Sequence, residues 1–158
     1  MPILVREASF EDAVAACEVL RRSIRELCGA DHMNDEKIVT EWLENKTPEN
    51  VREWLESSLT YGVVAERDGI VCGFAMVGRN GTISLCYVVP EVQHRGVGKR
   101  MLAALEAQAA RWNLRSLRVE STLTAKPFYE RNGYASVGDS IPAKGSHGGY
   151  PLHKVLAL

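Results

Sequence analysis

At 158 residues, 46% hydrophobic and 25% charged, the chain has the make-up of a soluble globular protein and the length of one domain, 1–158, which leaves disorder and fibrous repeats without support. A net charge of −1 supplies no global positive field, so nucleic acid is not an expected partner. Cys17, Cys28, Cys72 and Cys86 lie far apart with no CxxC pair, which signals neither a disulfide framework nor a zinc site, and no metal is expected.

The chain opens Met-Pro-Ile-Leu-Val-Arg, without a basic stretch and apolar core, and no apolar run approaches a membrane span. A cytoplasmic protein with no membrane partner is expected. Ile3 and Val5 alternate as a short strand, and Ser9 stands three residues before Asp12 as an N-cap. Ala13, Cys17, Leu20, Ile24 and Leu27 recur at spacings of four and three, the inward face of a helix, with Arg21, Arg22, Arg25 and Glu26 mostly outside it. Asn34 before Asp35-Glu36, and Thr47 before Pro48-Glu49, start two short helices whose Trp42, Leu43, Val51, Trp54 and Leu55 are core candidates.

From Tyr61 the texture changes to β-branched runs broken by turn dipeptides: Tyr61 to Glu66, Asp68-Gly69, Ile70 to Val77, Asn80-Gly81, Thr82 to Val89. That is an antiparallel three-stranded meander. A helix follows over Gly98 to Trp112 with Met101, Leu102 and Leu105 inward, then a strand over Leu117 to Glu120, a crossover between parallel strands. Thr124 to Arg131 is a short helix stopped by Asn132-Gly133, and two last strands flank the loop Gly145-Ser146-His147-Gly148-Gly149. The order, strand, two helices, three strands, helix, strand, helix, two strands, makes an α/β protein with a mixed, mostly antiparallel sheet and helices on both faces.

Val88 to Lys99 joins a strand to a helix through a turn rich in glycine, and such a turn cradles phosphate: the helix N-terminus offers unpaired N–H groups, and glycine lets the backbone approach an anion. Arg95, Lys99 and Arg100 add formal charge there, or form an ordinary solvated helix face. A P-loop would need glycine where Gln93 stands and Ser or Thr where Arg100 stands. The dinucleotide fingerprint GxGxxG fits Gly96 and Gly98, with Glu120 as a ribose ligand. Against it stand Met101 at the third small position, the long stretch Pro90 to Arg95, and the antiparallel setting of the preceding strand.

Gln93-x-x-Gly96-x-Gly98 resembles the Q/R-x-x-G-x-G/A pyrophosphate motif of the GNAT superfamily of N-acyltransferases. Ala125-x-x-Phe128-Tyr129-Glu130-x-x-Gly133-Tyr134 is similar to that superfamily's A-x-x-F-Y-E-x-x-G-F element. The resemblance is sharp over Tyr61 to Tyr134 and topological before it. It implies direct transfer of an acyl group, usually acetyl, from acetyl-CoA as cosubstrate to an amine in a ternary complex. The acceptor, a small molecule or peptide, is not named by the sequence, and oligomeric state, a homodimer included, stays open.

Carried over by position, the resemblance makes Val88 and Val89 the strand end against the pantetheine arm. Gln93, His94, Arg95, Gly96, Val97, Gly98, Lys99 and Arg100 become the pyrophosphate loop and helix start. Phe128 would line the coenzyme, with Thr122 and Lys126 as further contacts. Tyr129 matches the tyrosine that protonates the departing thiolate in many relatives, or is a packed aromatic. Thr82 and Leu117 replace the carboxylates some relatives use as base, leaving Glu120, His32 or bound water for that role. Asp31 and His32, beside Cys28, border the region where relatives take their acceptor, and His147 invites the same reading. A non-catalytic acyl-CoA binder or sensor, keeping the coenzyme loop without a working acid and base, is the alternative.

Overall fold

The computed structural model describes residues 2–138 and 149–157. Among the described residues seven strands form one sheet in the order β1-β2-β3-β4-β5-β7-β6. They are β1 (Ile3–Glu7), β2 (Thr60–Arg67), β3 (Ile70–Gly78), β4 (Thr82–Val88), β5 (Ser116–Ser121), β6 (Ala135–Ser136) and β7 (Tyr150–Val155). The helices are α1 (Ala13–Leu27), α2 (Gly29–His32), α3 (Glu36–Leu43), α4 (Pro48–Glu56), α5 (Val97–Arg111) and α6 (Lys126–Arg131). Four helices thus precede β2: the three read from the sequence, and the short α2, which was not. The GNAT-like mixed sheet is otherwise as expected: every neighbouring pair is antiparallel except β4 with β5.

Local chemistry explains most boundaries. Asp12 accepts the Ser9 N–H at 2.8 Å and takes both guanidinium arms of Arg6 at 2.9 Å, fixing the turn between β1 and α1. The Thr47 hydroxyl accepts the Asn50 N–H at 3.1 Å with Pro48 in the first turn of α4. At α3 the cap is Asp35, which accepts the Lys37 N–H at 3.0 Å, one residue beyond the expected Asn34. Asn34 is instead in a left-handed turn with φ 58°, a conformation its short polar side chain tolerates.

The helices cover both faces. A side chain at Gly62 would meet Leu55 of α4, whereas one at Gly73 would meet Met101 of α5 at 2.9 Å. Gly73 pairs with Ala65, three residues from Gly62, so the pleat sends the two glycines to opposite faces. The close helix–sheet approach that a dinucleotide fold obtains from a small residue on its helix comes here from Gly73 on the sheet, under a fully buried Met101. One core runs through both layers, and a smaller cluster of Ile24, Cys28, Val39, Trp42 and Leu43 lies under α3. Among the described residues no helix is long and apolar enough to cross a membrane.

The feature that makes room for a ligand is a split in the sheet. β4 and β5 pair only at Thr82–Arg118 and Ile83–Val119. The β3–β4 register slips between Met76 and Val77, a local irregularity of the kind that bends a strand. Beyond Ile83, β4 leaves β5, and the parallel ladder stops.

Candidate functional site

A cleft of about 770 Å³ opens at this split. One wall is the turn after β4 and the start of α5: Val92, Gln93, His94, Gly96, Val97, Gly98 and Lys99. Gly96 caps α5 at φ 80° and His94 sits at φ 63°, so the chain reverses twice before the helix begins. The first N–H to close a helical bond is that of Arg100, to Gly96 C=O at 3.1 Å. The N–H groups of Val97, Gly98 and Lys99 therefore carry no helical partner and form the positive end of α5.

The opposite wall is α6 and the turn leading to it, with Thr122, Thr124, Ala125, Pro127, Phe128, Arg131 and Asn132. A Cβ on Gly98 would stand 3.1 Å from Phe128 Cε1 and 3.2 Å from Cζ. Gly98 is thus needed for room, and Gly96, with nothing within 4 Å of its Cβ direction, for its backbone angle. Thr122 is tied into the turn, its Oγ1 accepting the Ala125 N–H at 3.0 Å. The floor is Cys86, Tyr87 and Val88 of β4, and Ser23, Leu27 and Cys28 of α1 close the far end. Leu27, expected in the core, is half-buried because it faces this cleft.

Nine of the expected coenzyme residues meet here: Val88, Gln93, His94, Gly96, Val97, Gly98, Lys99, Thr122 and Phe128. Four do not line the cleft. Val89 is buried, its N–H donating to Cys72 C=O at 3.0 Å; Arg95 is exposed; Arg100 donates to Ile3 C=O at 2.5 Å; Lys126 sits 5.5 Å from the Tyr150 ring centre. Arg131 does line it and was not anticipated, although its place three residues after Phe128 puts both on one face of α6.

Tyr129 lies behind that wall, 4% exposed, its ring edge-on to Phe128 at 5.1 Å and to Tyr134 at 5.6 Å. Burial holds its phenol well above the ordinary tyrosine range, so it stays protonated. Its hydroxyl has no hydrogen-bond partner among the described residues, while that of Tyr134 donates to Glu106 at 2.8 Å. Burial likewise pushes the Cys28 and Cys86 thiols up to about 12, and both remain neutral.

Asp31 and His32 are occupied by other work than the acceptor contact expected of them. Asp31 accepts the N–H of Leu123 at 2.7 Å, the N–H of Thr124 at 3.1 Å and the Thr124 hydroxyl at 2.5 Å, clasping α2 to the turn before α6. His32 is 1% exposed. Its Nδ1 accepts the Asn34 N–H at 3.0 Å, which assigns the proton to Nε2, and Nε2 donates to Ile24 C=O at 2.8 Å. Both nitrogens are spent, so this histidine has none free to act as a base. Glu120 is exposed on the strand face opposite buried Leu117, Val119 and Ser121 and does not line the cleft. His147 lies outside the described residues.

Free backbone N–H groups at a helix start, opening on a split between two parallel strands, make a site with room for a long phosphorylated ligand. A family model described as an acetyltransferase (GNAT) domain matches residues 29–148, and the chain belongs to that family. It is 29% identical over 146 residues to an amino-acid acetyltransferase of Pseudomonas putida strain GB-1, covering 89% of this chain and 29% of the relative. It is 32% identical over 97 residues to one of Pseudomonas syringae pv. syringae, covering 58% and 22%. The chain thus spans less than a third of the curated relatives it matches. Among solved structures, a GCN5-related N-acetyltransferase from Rhodopseudomonas palustris superposes with a TM-score of 0.85 at 24% identity, covering 99% and 97% of the two chains. The PaiA N-acetyltransferase from Thermoplasma acidophilum, solved with coenzyme A, gives 0.82 at 21% identity over 99% and 100%. At these identities the likeness establishes the fold.

Proposed function

We propose that the chain is an N-acetyltransferase that moves an acetyl group from acetyl-CoA to an amine by direct attack in a ternary complex. The observation that carries this reading is the continuity of one cleft from the unpaired N–H groups of α5 to the gap between β4 and β5. The N–H groups of Val97, Gly98 and Lys99 bind the pyrophosphate, with Lys99 and Arg131 adding charge from the two walls. Val88 and Phe128 pack on the pantetheine arm. Acetyl-CoA supplies an activated thioester. The amine nitrogen forms a bond to the thioester carbon, the carbon–sulfur bond breaks, and the Tyr129 phenol gives its proton to the departing thiolate, to be reprotonated from solvent. The ammonium form of the acceptor sheds one proton to water in the open cleft before attack, and the attacking nitrogen loses a second to water as the amide forms.

A non-catalytic acyl-CoA binder is the second reading, favoured by one observation: none of the described residues lining the cleft is a carboxylate. A thiol-release assay with acetyl-CoA separates the two. The curated relatives are amino-acid acetyltransferases, so the panel begins with the L-amino acids and continues through polyamines and peptides with free N-termini. Turnover with any of these supports the enzyme. Tight acetyl-CoA binding with no thiol released across the panel would overturn it in favour of the binder.

A further inference from the structure

β4 places a second phenol at the split, on the opposite face of the sheet from Tyr129. Tyr87 pairs with Phe74, which pairs in turn with Val64, so its side chain shares the face of α1 and α4. There its ring packs on the cluster built around Ile24 and Cys28 of the α1 segment. Cys86, one residue earlier, pairs with Ala75 and shares the face of α5 and α6. Both residues line the same cleft, because the cleft passes through the sheet where β4 and β5 separate.

The hydroxyl of Tyr87 is unclaimed. The residue is half-buried in the cleft floor, yet its oxygen has no hydrogen-bond partner among the described residues. Tyr134 has such a partner in Glu106; the Tyr87 oxygen is not among the buried unpartnered atoms of the described residues, so it is open to the cleft, where water or a ligand completes it. The surroundings favour the neutral phenol: burial, then the nearby Cys28, Asp31 and Cys86, hold its pKa far above that of an ordinary tyrosine.

The two faces of the split divide the reaction. The phosphate cradle and Phe128 stand on the α5 and α6 face, so a coenzyme bound there reaches the gap with its thioester end, and the acceptor must arrive from the α1 face. We infer that the Tyr87 hydroxyl holds the acceptor: its oxygen accepts one N–H of the incoming amine and keeps the nitrogen lone pair aimed at the thioester carbon. The inference rests on the acetyltransferase reading and adds to it a group on the nucleophile's side of the sheet. Bond-making at the amine is thereby guided from β4, while Tyr129 serves the sulfur from α6.

Tyr87→Phe tests it, since the ring and its packing are kept and one hydroxyl is lost. With the best amine of the panel above, kcat/KM for the amine falls about three- to tenfold, the size expected for one hydrogen bond between neutral partners. The dissociation constant for acetyl-CoA by calorimetry and the melting temperature stay as in the parent. A purely structural Tyr87 would leave the amine parameters unmoved, and that result overturns the inference. A loss of acetyl-CoA affinity equal to the loss in kcat/KM overturns it as well, by moving Tyr87 to the coenzyme's side. Failure of the parent itself to release thiol with any amine would sink the acetyltransferase reading first, and is distinguishable because no variant is then needed.

Discussion

Gly98→Ala separates the requirements of the fold from those of the ligand. The added methyl would sit 3.1–3.2 Å from two ring carbons of Phe128, about 0.3–0.9 Å inside ordinary carbon–carbon contact. Phe128 is half-buried on the cleft wall and has open space to retreat into. Overpacking of this kind costs about 1–3 kcal/mol, and alanine regains up to about 1 kcal/mol of helix propensity. Net stability should therefore change by no more than about 3 kcal/mol, a melting shift of at most roughly 6–12 °C for a chain of this size. Affinity should suffer more. The methyl stands beside the free N–H groups of the first turn of α5 and pushes Phe128 into the ligand's path. Losing one hydrogen bond to a charged phosphate costs about 1.5–3 kcal/mol, which is about 10- to 150-fold in the dissociation constant. Gly96→Ala is the counterpart: with φ 80° and nothing within 4 Å, its penalty is backbone strain of about 1–2 kcal/mol in stability. Calorimetric titration with acetyl-CoA and thermal melting on both variants decide the matter. An unchanged dissociation constant for folded Gly98→Ala would refute the placement of the phosphate on α5.

Acetyl-CoA at about one hundred times its dissociation constant should stabilise the fold by about 2.7 kcal/mol and raise the melting temperature, with NADH inert; a shift with NADH alone would return the dinucleotide reading. Tyr129→Phe should lower kcat by about 10²- to 10⁴-fold with KM for acetyl-CoA little changed; near-parental kcat, in a reaction limited by chemistry, would remove the phenol from the mechanism. Asp31→Ala severs the clasp between α2 and the turn before α6 and should cost about 2–3 kcal/mol in urea denaturation, with Asp31→Asn intermediate. The Arg6 guanidinium, together with the Ser9 N–H, holds the Asp12 carboxyl below the usual range. The stability it contributes is complete above the unfolded carboxylate value of about 4 and is lost as pH falls through the lower folded value. Asp12→Asn should therefore cost about 1 kcal/mol at neutral pH and flatten the acid limb of stability, and parallel acid limbs in the two proteins would show the pair to be inert.

The elements most legible in the chain were those with local causes. Asp68-Gly69 and Asn80-Gly81 mark the meander because a tight turn needs positive φ, and Asp68, Gly69 and Gly81 have it. The turn into α5 was legible for the same reason: free N–H groups at a helix start belong to consecutive residues, so Gln93 to Lys99 carry the turn in the order they are written. Side chains brought together from distant segments were not legible. Arg100 reads as a phosphate ligand beside glycines, yet it reaches across to Ile3.

Sequence alone therefore determined the alternation of strands and helices, the antiparallel meander, the crossover into β5 and the glycine-rich start of α5, since each follows from periodicity or from contiguous backbone. The tertiary structure decided where β4 parts from β5, because pairing stops only after Ile83–Val119, residues 36 apart in the chain. It decided as well that Asp31 reaches Thr124 as a clasp, that both nitrogens of His32 are consumed inside the fold, that Gly98 makes way for Phe128, and that Tyr87 and Cys86 open to one cleft from two faces. Each of these depends on the distance between residues far apart in the chain, a quantity fixed by packing and by strand register and carried by no local pattern.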